Sequence, residues 1–329
     1  KWRDTEAAIT GRSRKPLSSQ EARGFESHSL RQMSKFEPRY NKGSWTKIKI
    51  MPKLLTKKEA VEFLGLDDKT FDNYFKNAAE FPCIDRNGGR GRFYFDENVL
   101  RKWKDSLAWR TVDLNKDDYA LCLDFALAQH FRNYVQSDFG TGRQREFGQK
   151  ITNWVKGQLG EVAVKKFLKR EFNVDIELDF DIRDKIVLQD ITAVKENGKM
   201  RTPKIGIGIK SSKPKSAFLV LGENEIRIKE RRSDIYIYCR PNIPDDHLLR
   251  LTKEEVNEAV KNKPHYSKYK DLMPDFINIP CEVVGWCHYT DLRETKSIPG
   301  QEFDGVRFVK ESGLLRKSKK DWEELTKQL

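Results

Sequence analysis

The sequence of 329 residues has no long hydrophobic run. A membrane-spanning helix needs about 18 or more consecutive apolar residues, so we expect a protein that does not cross a membrane. The first residue is Lys1 and not Met, as in a trimmed chain or one numbered within a longer product, and no apolar signal-peptide core follows it.

Cysteine and histidine are scarce, with five of each. The cysteines are an odd number without a C-x2-C pair, which counts against a disulfide framework and a zinc cluster. The histidines form no H-x-H or H-E-x-x-H spacing, which counts against an HNH nuclease and a metalloprotease, and the absence of a G-x-x-x-x-G-K-[ST] loop excludes a translocating ATPase within this chain. A reducing, cytoplasmic setting is expected.

Positive charge is in excess, with 63 Lys and Arg against 50 Asp and Glu and a net +13. A net charge of this size favours a polyanionic partner. Residues 1–50 carry a net +7 and residues 201–232 a net +6, so the rest of the chain is balanced. We interpret residues 1–50 as a basic arm, which is either a plain N-terminal extension or a DNA contact.

Residues 51–110 contain the signals of three helices and a hairpin. Thr56 and Glu59 form a capping box, Gly65 begins a tight turn, and Asp67 to Ala79 has the pattern of a second helix. A glycine-arginine turn at residues 87–92 precedes a third helix capped by Asp96.

The segments LLTKKEAVEFLGLDDKTFDNYF and FPCIDRNGGRGRFYFDENVLRKW resemble the winged helix-turn-helix domain of phage excisionases and MerR-like regulators. The resemblance implies a second helix in the major groove and a wing that reaches phosphates or the minor groove. The alternative is a protein-docking domain. The implied DNA contacts are Lys69, Thr70, Asn73, Tyr74 and Lys76 of the helix and Arg86, Arg90 and Arg92 of the wing.

Residues 111–150 have a helical pattern, which we interpret as a connector or a core helix. A helix over 151–172 follows, in which Gly157 and Gly160 indicate close packing by a neighbour. Strands are predicted at 186–191, 204–210, 218–221, 234–239 and 281–287. Alternation along 204–210 puts Ile205, Ile207 and Ile209 on one face and Lys210 on the other.

A helical Glu161, Asp190 on one strand and Lys210 on the next resemble the PD-(D/E)XK nuclease superfamily, particularly type II restriction endonucleases. The resemblance implies an α/β (α+β) core over residues 151–300, with a central mixed sheet flanked by helices. It also implies that Glu161 and Asp190 bind Mg²⁺ and that Lys210 positions or activates the attacking water.

The chain departs from that pattern at Gly208, where the superfamily carries an acid two residues before the lysine. Three accounts are open. Glu161 replaces the acid, or an acidic stretch replaces it, or the domain binds DNA without cutting it. The residues of that stretch are Glu177, Asp179, Asp181 and Asp184.

The hydrophilic segment after Lys210 favours phosphate contact by Ser211, Ser212, Lys213 and Lys215. Residues 301–329 end in a polar helix that we expect on the nuclease core or on a partner subunit. The predicted function is a Mg²⁺-dependent, sequence-specific endonuclease of double-stranded DNA, acting as a homodimer because each strand needs an active site. The alternatives are a non-catalytic DNA-binding protein and a transposon or phage nuclease subunit.

Overall fold

The computed structural model describes residues 53–65, 71, 84–85, 93–131, 146–181, 189–196, 198–214 and 216–329. The chain divides into two units, residues 1–51 and residues 52–329. The first unit, and with it the basic arm, lies outside the described residues.

The second unit begins with local structure that the sequence predicts. Thr56 N lies 2.7 Å from Glu59 Oε2 and Glu59 N lies 3.4 Å from Thr56 Oγ1, which completes the capping box. Gly65 ends this helix in the left-handed region at φ 66°, and Asp96 caps the next helix by accepting two backbone N–H groups. The elements are β1 (Leu54–Leu55), α1 (Lys57–Leu64), β2 (Ile84–Asp85), β3 (Phe93–Asp96) and α2 (Glu97–Trp109).

A small antiparallel sheet in the order β1-β3-β2 joins these elements. The rings of Phe71 and Phe95 pack edge to face in its core, with centroids 5.3 Å apart. The rest of the expected second helix and the whole glycine-arginine turn lie outside the described residues, as do Lys69, Thr70, Asn73, Tyr74, Lys76, Arg86, Arg90 and Arg92. The winged helix-turn-helix therefore stays a prediction.

The larger core follows and is mixed α/β, which confirms the expected class. Its N-terminal elements are β4 (Thr111–Leu114), α3 (Lys116–Phe131), α4 (Phe147–Phe172), β5 (Asp175–Leu178), β6 (Ile191–Glu196), β7 (Lys199–Arg201), β8 (Ile207–Ser211), β9 (Phe218–Gly222) and α5 (Glu223–Arg227). They are followed by β10 (Ile235–Pro241), α6 (His247–Leu251), α7 (Lys253–Val260), α8 (Tyr266–Tyr269), β11 (Ile279–His288), β12 (Arg293–Ile298), β13 (Gln301–Glu311) and α9 (Lys319–Gln328).

The strands of this core belong to several sheets. The largest has the order β4-β11-β10-β8, with β8 parallel to β10 and the other neighbours antiparallel. Two antiparallel sheets have the orders β12-β13-β9 and β5-β6-β7. The sequence pattern suggested one continuous sheet, but the β6–β7 hairpin joins β5 in a sheet of its own.

Helix α4 covers one face of the four-stranded sheet, which we call the α4 face. Ile207 and Ile209 of β8 point to it, as alternation predicts, and leave Gly208 and Lys210 on the opposite side. We call that side the α5 face, because Ile226 of α5 packs there with the leucines of β9 and the tyrosines of β10.

The expected close approach to α4 occurs at Gly160. A Cβ there would lie 1.9 Å from Ser211 Oγ and 3.2 Å from Cys239 Cβ, so the sheet touches the helix backbone. Among the described residues, a Cβ at Gly157 would meet nothing within 4 Å, so close packing is not found at this glycine.

Helix α3 is a core helix, because Tyr119, Cys122 and Ala126 are buried in the main hydrophobic cluster. The predicted helical segment 111–150 nevertheless begins with β4, which pairs with β11. A four-residue strand flanked by two helices has too few alternating positions to stand out in the sequence.

The C-terminal segment is also more than a polar helix, since β13 occupies residues 301–311. Helix α9 packs on the main core through Trp322, whose ring centroid lies 4.8 Å from that of Phe167. Across the described residues, no helix has the length and apolar character needed to span a membrane.

A buried charged triad joins α2 and β4 to the sheet. Arg110 Nη1 lies 3.0 Å from Glu282 Oε1 and donates to the Val284 carbonyl at 2.8 Å, and Arg240 Nη1 lies 3.2 Å from Glu282 Oε2. The two arginine side chains are 4% and 5% exposed, so Glu282 compensates charges that are almost dry.

Candidate active site

Glu161 is a buried acid on α4, with 7% of its surface exposed. Gln158, three residues earlier and therefore on the same side of the helix, donates from Nε2 to Glu161 Oε1 at 3.0 Å. Burial raises the pKa of Glu161 well above its usual range, the negative charges of Asp190 and Asp179 raise it further, and Lys210 opposes this shift. A glutamate on an ordinary solvated helix face would experience none of these effects.

Asp190 lies directly before β6 and against the edge of β8. Its backbone N–H donates to the Ile207 carbonyl at 3.2 Å, and its Oδ2 accepts from the Ile209 N–H. These two bonds hold the carboxylate beside Gly208. The sequence pattern suggested a strand over 186–191, whereas strand β6 begins at Ile191, and residues 182–188 lie outside the described residues.

Lys210 is on the α5 face of β8, and its Nζ lies 2.9 Å from Glu225 Oε1. Its pKa is shifted upward: burial lowers it, but the negative charges of Asp190 and Glu225 raise it by more. Lys210 is therefore a cation that pairs with Glu225 and also interacts with the charge of Asp190.

Glu161, Asp190 and Lys210 interact electrostatically. Asp190 and Lys210 both act on the pKa of Glu161, and Asp190 acts on that of Lys210, so the three charges lie within interaction range. The acidic stretch contributes Asp179, whose charge also acts on Glu161. Asp184 lies outside the described residues.

The position of the missing acid is filled. A Cβ at Gly208 would lie 2.9 Å from Ser233 Oγ and 2.9 Å from Cε1 of Tyr236. Ser233 donates its backbone N–H to the Tyr236 hydroxyl at 3.1 Å, which joins the two neighbours. A carboxylate at residue 208 would require both of them to move.

The donor atoms next to Glu161 fit a hard divalent cation. Mg²⁺ prefers carboxylate and carbonyl oxygens, and Glu161 and Asp190 provide the carboxylates. Gln158 Oε1 is buried and, within the part of the chain that is described, has no hydrogen-bond partner. No group of three or more His, Cys, Asp and Glu with metal-binding proximity occurs in those residues. The oxygen atoms considered for a cation here are therefore limited to two carboxylates and one amide.

The residues expected to contact phosphate differ in their environments. Ser211 packs on Gly160 and donates to the Gly157 carbonyl at 3.5 Å, so its hydroxyl faces α4. The Ser212 N–H donates to the Cys239 carbonyl at 3.0 Å. Lys213 is exposed, and Lys215 lies outside the described residues.

Lys156 on α4 is a basic residue near Lys213 that the sequence pattern did not indicate. Burial lowers the pKa of Lys156, the charge of Lys213 lowers it further, and Asp245 opposes this shift. Two lysines that repel each other favour an anion between or beside them.

Other basic residues of segment 201–232 already interact with protein groups. Arg227 pairs with Glu223 at 2.9 Å and Glu294 at 3.1 Å, and the Arg232 guanidinium lies 4.0 Å from the centroid of a tyrosine ring. The net +6 of this segment is therefore not one uniform free surface.

Sequence reasoning missed Gln158, Glu225 and Tyr236. Gln158 had a usable signal, because residues three apart share a helix face. Glu225 and Tyr236 had none, because they meet Lys210 and Gly208 through the packing of α5 and the pairing of β8 with β10.

Comparisons of the chain with protein-family models, curated proteins and solved structures found no match. The functional argument therefore rests on the residues and geometry of this chain.

Proposed function

We propose that this protein is a Mg²⁺-dependent endonuclease of double-stranded DNA, of the PD-(D/E)XK restriction type. The observation that supports the proposal is the convergence of Glu161, Asp190 and Lys210, which come from α4, the start of β6 and β8. A buried acid with a raised pKa next to a second acid and a lysine is typical of a functional site.

The roles of the residues follow from their positions. Glu161 and Asp190 would hold the cation, with Gln158 Oε1 as an additional oxygen donor. The chemistry that a bound Mg²⁺ would supply is a lowered pKa of water and an offset for charge on the leaving oxygen of a phosphodiester. Lys210 would orient the attacking water or contact the scissile phosphate, because its charge acts in the same region as those of Asp190 and Glu161.

This assignment selects among the three accounts of the missing acid. In the proposed assignment Glu161 replaces it, and the space that Ser233 and Tyr236 occupy at Gly208 is consistent with an acid that comes from outside the strand. The winged helix-turn-helix region would recognise the DNA sequence, and a homodimer would provide one active site for each strand.

A non-catalytic DNA-binding protein is the second candidate. The observation that favours it is the ion pair between Lys210 and Glu225, which occupies the ammonium that a nuclease needs.

Cleavage of a broad panel of plasmid and phage DNA, with Mg²⁺ and with EDTA, distinguishes the two candidates. We expect metal-dependent fragments from the wild type and none from Asp190→Ala or Lys210→Ala, while gel-shift binding persists. Tight binding without cleavage across the panel would instead support the non-catalytic candidate.

Asp179 provides the control for the proposal that Glu161 is a metal ligand. Glu161→Gln should abolish cleavage, and Asp179→Asn should retain it. The reverse result would move the metal ligand to the acidic stretch.

A further inference from the structure

Helix α5 carries an acid to the candidate active site. The helix follows β9 directly, and its Glu225 Oε1 lies 2.9 Å from Lys210 Nζ. The two side chains are 33% and 29% exposed, so the pair is partly shielded from water. Shielding makes an ion pair more effective than one on the open surface.

The same helix is anchored on both sides of Glu225. Ile226 is 6% exposed and packs in the cluster of the α5 face. Arg227 pairs with Glu223 and also with Glu294 of β12. Glu225 therefore projects from a fixed backbone and can set the position of the flexible lysine side chain.

The charge of Lys210 also interacts with a second carboxylate, that of Asp190. Asp190 raises the pKa of Lys210, as Glu225 does, but only Glu225 forms an ion pair with it among the described residues. The Asp190 carboxylate accepts from the Ile209 N–H. An ammonium released from Glu225 would be drawn to Asp190, where it would compete with a cation.

The strand itself could not provide the carboxylate partner of Lys210 from residue 208. In the strand itself, a side chain at residue 208 would collide with Ser233 and Tyr236. An acid from a neighbouring helix reaches Lys210 without disturbing either residue.

We propose that Glu225 is a positioning residue that holds Lys210 in place and keeps its ammonium from neutralising Asp190, so that Asp190 stays available to a divalent cation. This inference rests on the proposed function for its catalytic consequence. Its consequence for metal binding is measurable without DNA.

The first experiment titrates the full-length protein with Mn²⁺ by calorimetry. A Lys210 ammonium drawn to Asp190 would repel a cation there, and we expect Glu225→Gln to weaken Mn²⁺ binding by about 10-fold. Glu225→Asp should recover part of the loss. Glu223→Gln, which removes the same charge from the same helix, should bind Mn²⁺ like the wild type.

A double variant tests whether Glu225 acts through Lys210. In a Lys210→Met background the competing ammonium is absent, so adding Glu225→Gln should leave Mn²⁺ affinity unchanged. The same loss in both backgrounds would overturn the inference, as would wild-type affinity in Glu225→Gln.

The second experiment measures single-turnover cleavage of DNA. Glu225→Gln should lower the rate constant by about 10- to 100-fold, with the DNA Kd within about twofold of wild type. A wild type that binds Mn²⁺ but cuts no DNA would refute the proposed function alone, because the Mn²⁺ titrations still decide the role of Glu225. A wild type that binds no Mn²⁺ would refute both.

Discussion

The two faces of the four-stranded sheet differ in how their charged side chains are paired. On the α4 face, Glu161 is buried, and its hydrogen bond within the described residues comes from the neutral side chain of Gln158. On the α5 face, Lys210 pairs with Glu225, and two buried arginines share Glu282. Structural charges are normally compensated, since an uncompensated one costs folding free energy. Among the described residues, Glu161 therefore differs from these side chains in having no ion pair.

The largest effect on the free energy of unfolding should come from removing the charge of Glu282, which two buried arginines share. Glu282→Gln leaves the guanidinium groups of Arg110 and Arg240 buried without a counter-charge. We expect the free energy of unfolding to fall by about 3 kcal/mol, measured by urea denaturation. The control is Glu294→Gln, which removes a half-exposed partner of Arg227 and should cost less than about 1 kcal/mol. Equal effects would mean that burial does not distinguish the two pairs.

Packing against α4 can be tested at its two glycines. Gly160→Ala should lower the free energy of unfolding by about 2 kcal/mol, because its Cβ would overlap Ser211 Oγ. Gly157→Ala adds a Cβ that meets no atom of the described residues within 4 Å and should raise the free energy of unfolding by about 1 kcal/mol through helix propensity. Thermal and urea unfolding would detect the opposite signs, and stabilisation by both variants would show that Ser211 can move aside.

The uncompensated acid should make stability depend on pH in the absence of metal. Because burial raises the pKa of Glu161 in the folded state, its contribution is fully present below the unfolded pKa of a glutamate. That contribution falls as the pH rises towards the folded value. Glu161→Gln should therefore be more stable than wild type by more than about 1 kcal/mol at pH 8 in EDTA.

That difference should shrink towards pH 4, and Mn²⁺ should stabilise only the wild type. Urea unfolding at several pH values checks both expectations. A difference that is independent of pH would mean that the charge of Glu161 is not its cause.

The smallest effect on the free energy of unfolding should come from the ion pair between Lys210 and Glu225. Lys210 and Glu225 are about one-third exposed, so Glu225→Gln should change the free energy of unfolding by less than about 1 kcal/mol. A larger loss, measured by thermal unfolding, would assign Glu225 a structural role and weaken the contrast between the two faces.

Local features of the fold were predictable because neighbours in sequence decide them. The Thr56–Glu59 capping box and the Asp96 cap depend on side chains within a few residues. The alternation that separates Ile209 from Lys210 follows from strand geometry alone.

Strand partners and the surroundings of the site were not predictable in this way. Strand β4 pairs with β11 across more than 160 residues, and the β6–β7 hairpin joins β5 and not β8. Registers of this kind depend on how apolar faces are buried together, and many pairings satisfy the same alternation.

By itself, the sequence determined which residues could carry the chemistry: a helical Glu161, Asp190 and Lys210, with a glycine in place of an acid at residue 208. Only the tertiary structure decided their environments. Packing of α4 on the sheet buried Glu161 beside Gln158, and α5 brought Glu225 to Lys210. Residue type sets the intrinsic charge and donor atoms, whereas pKa and pairing depend on neighbours that only the folded chain brings within a few ångströms.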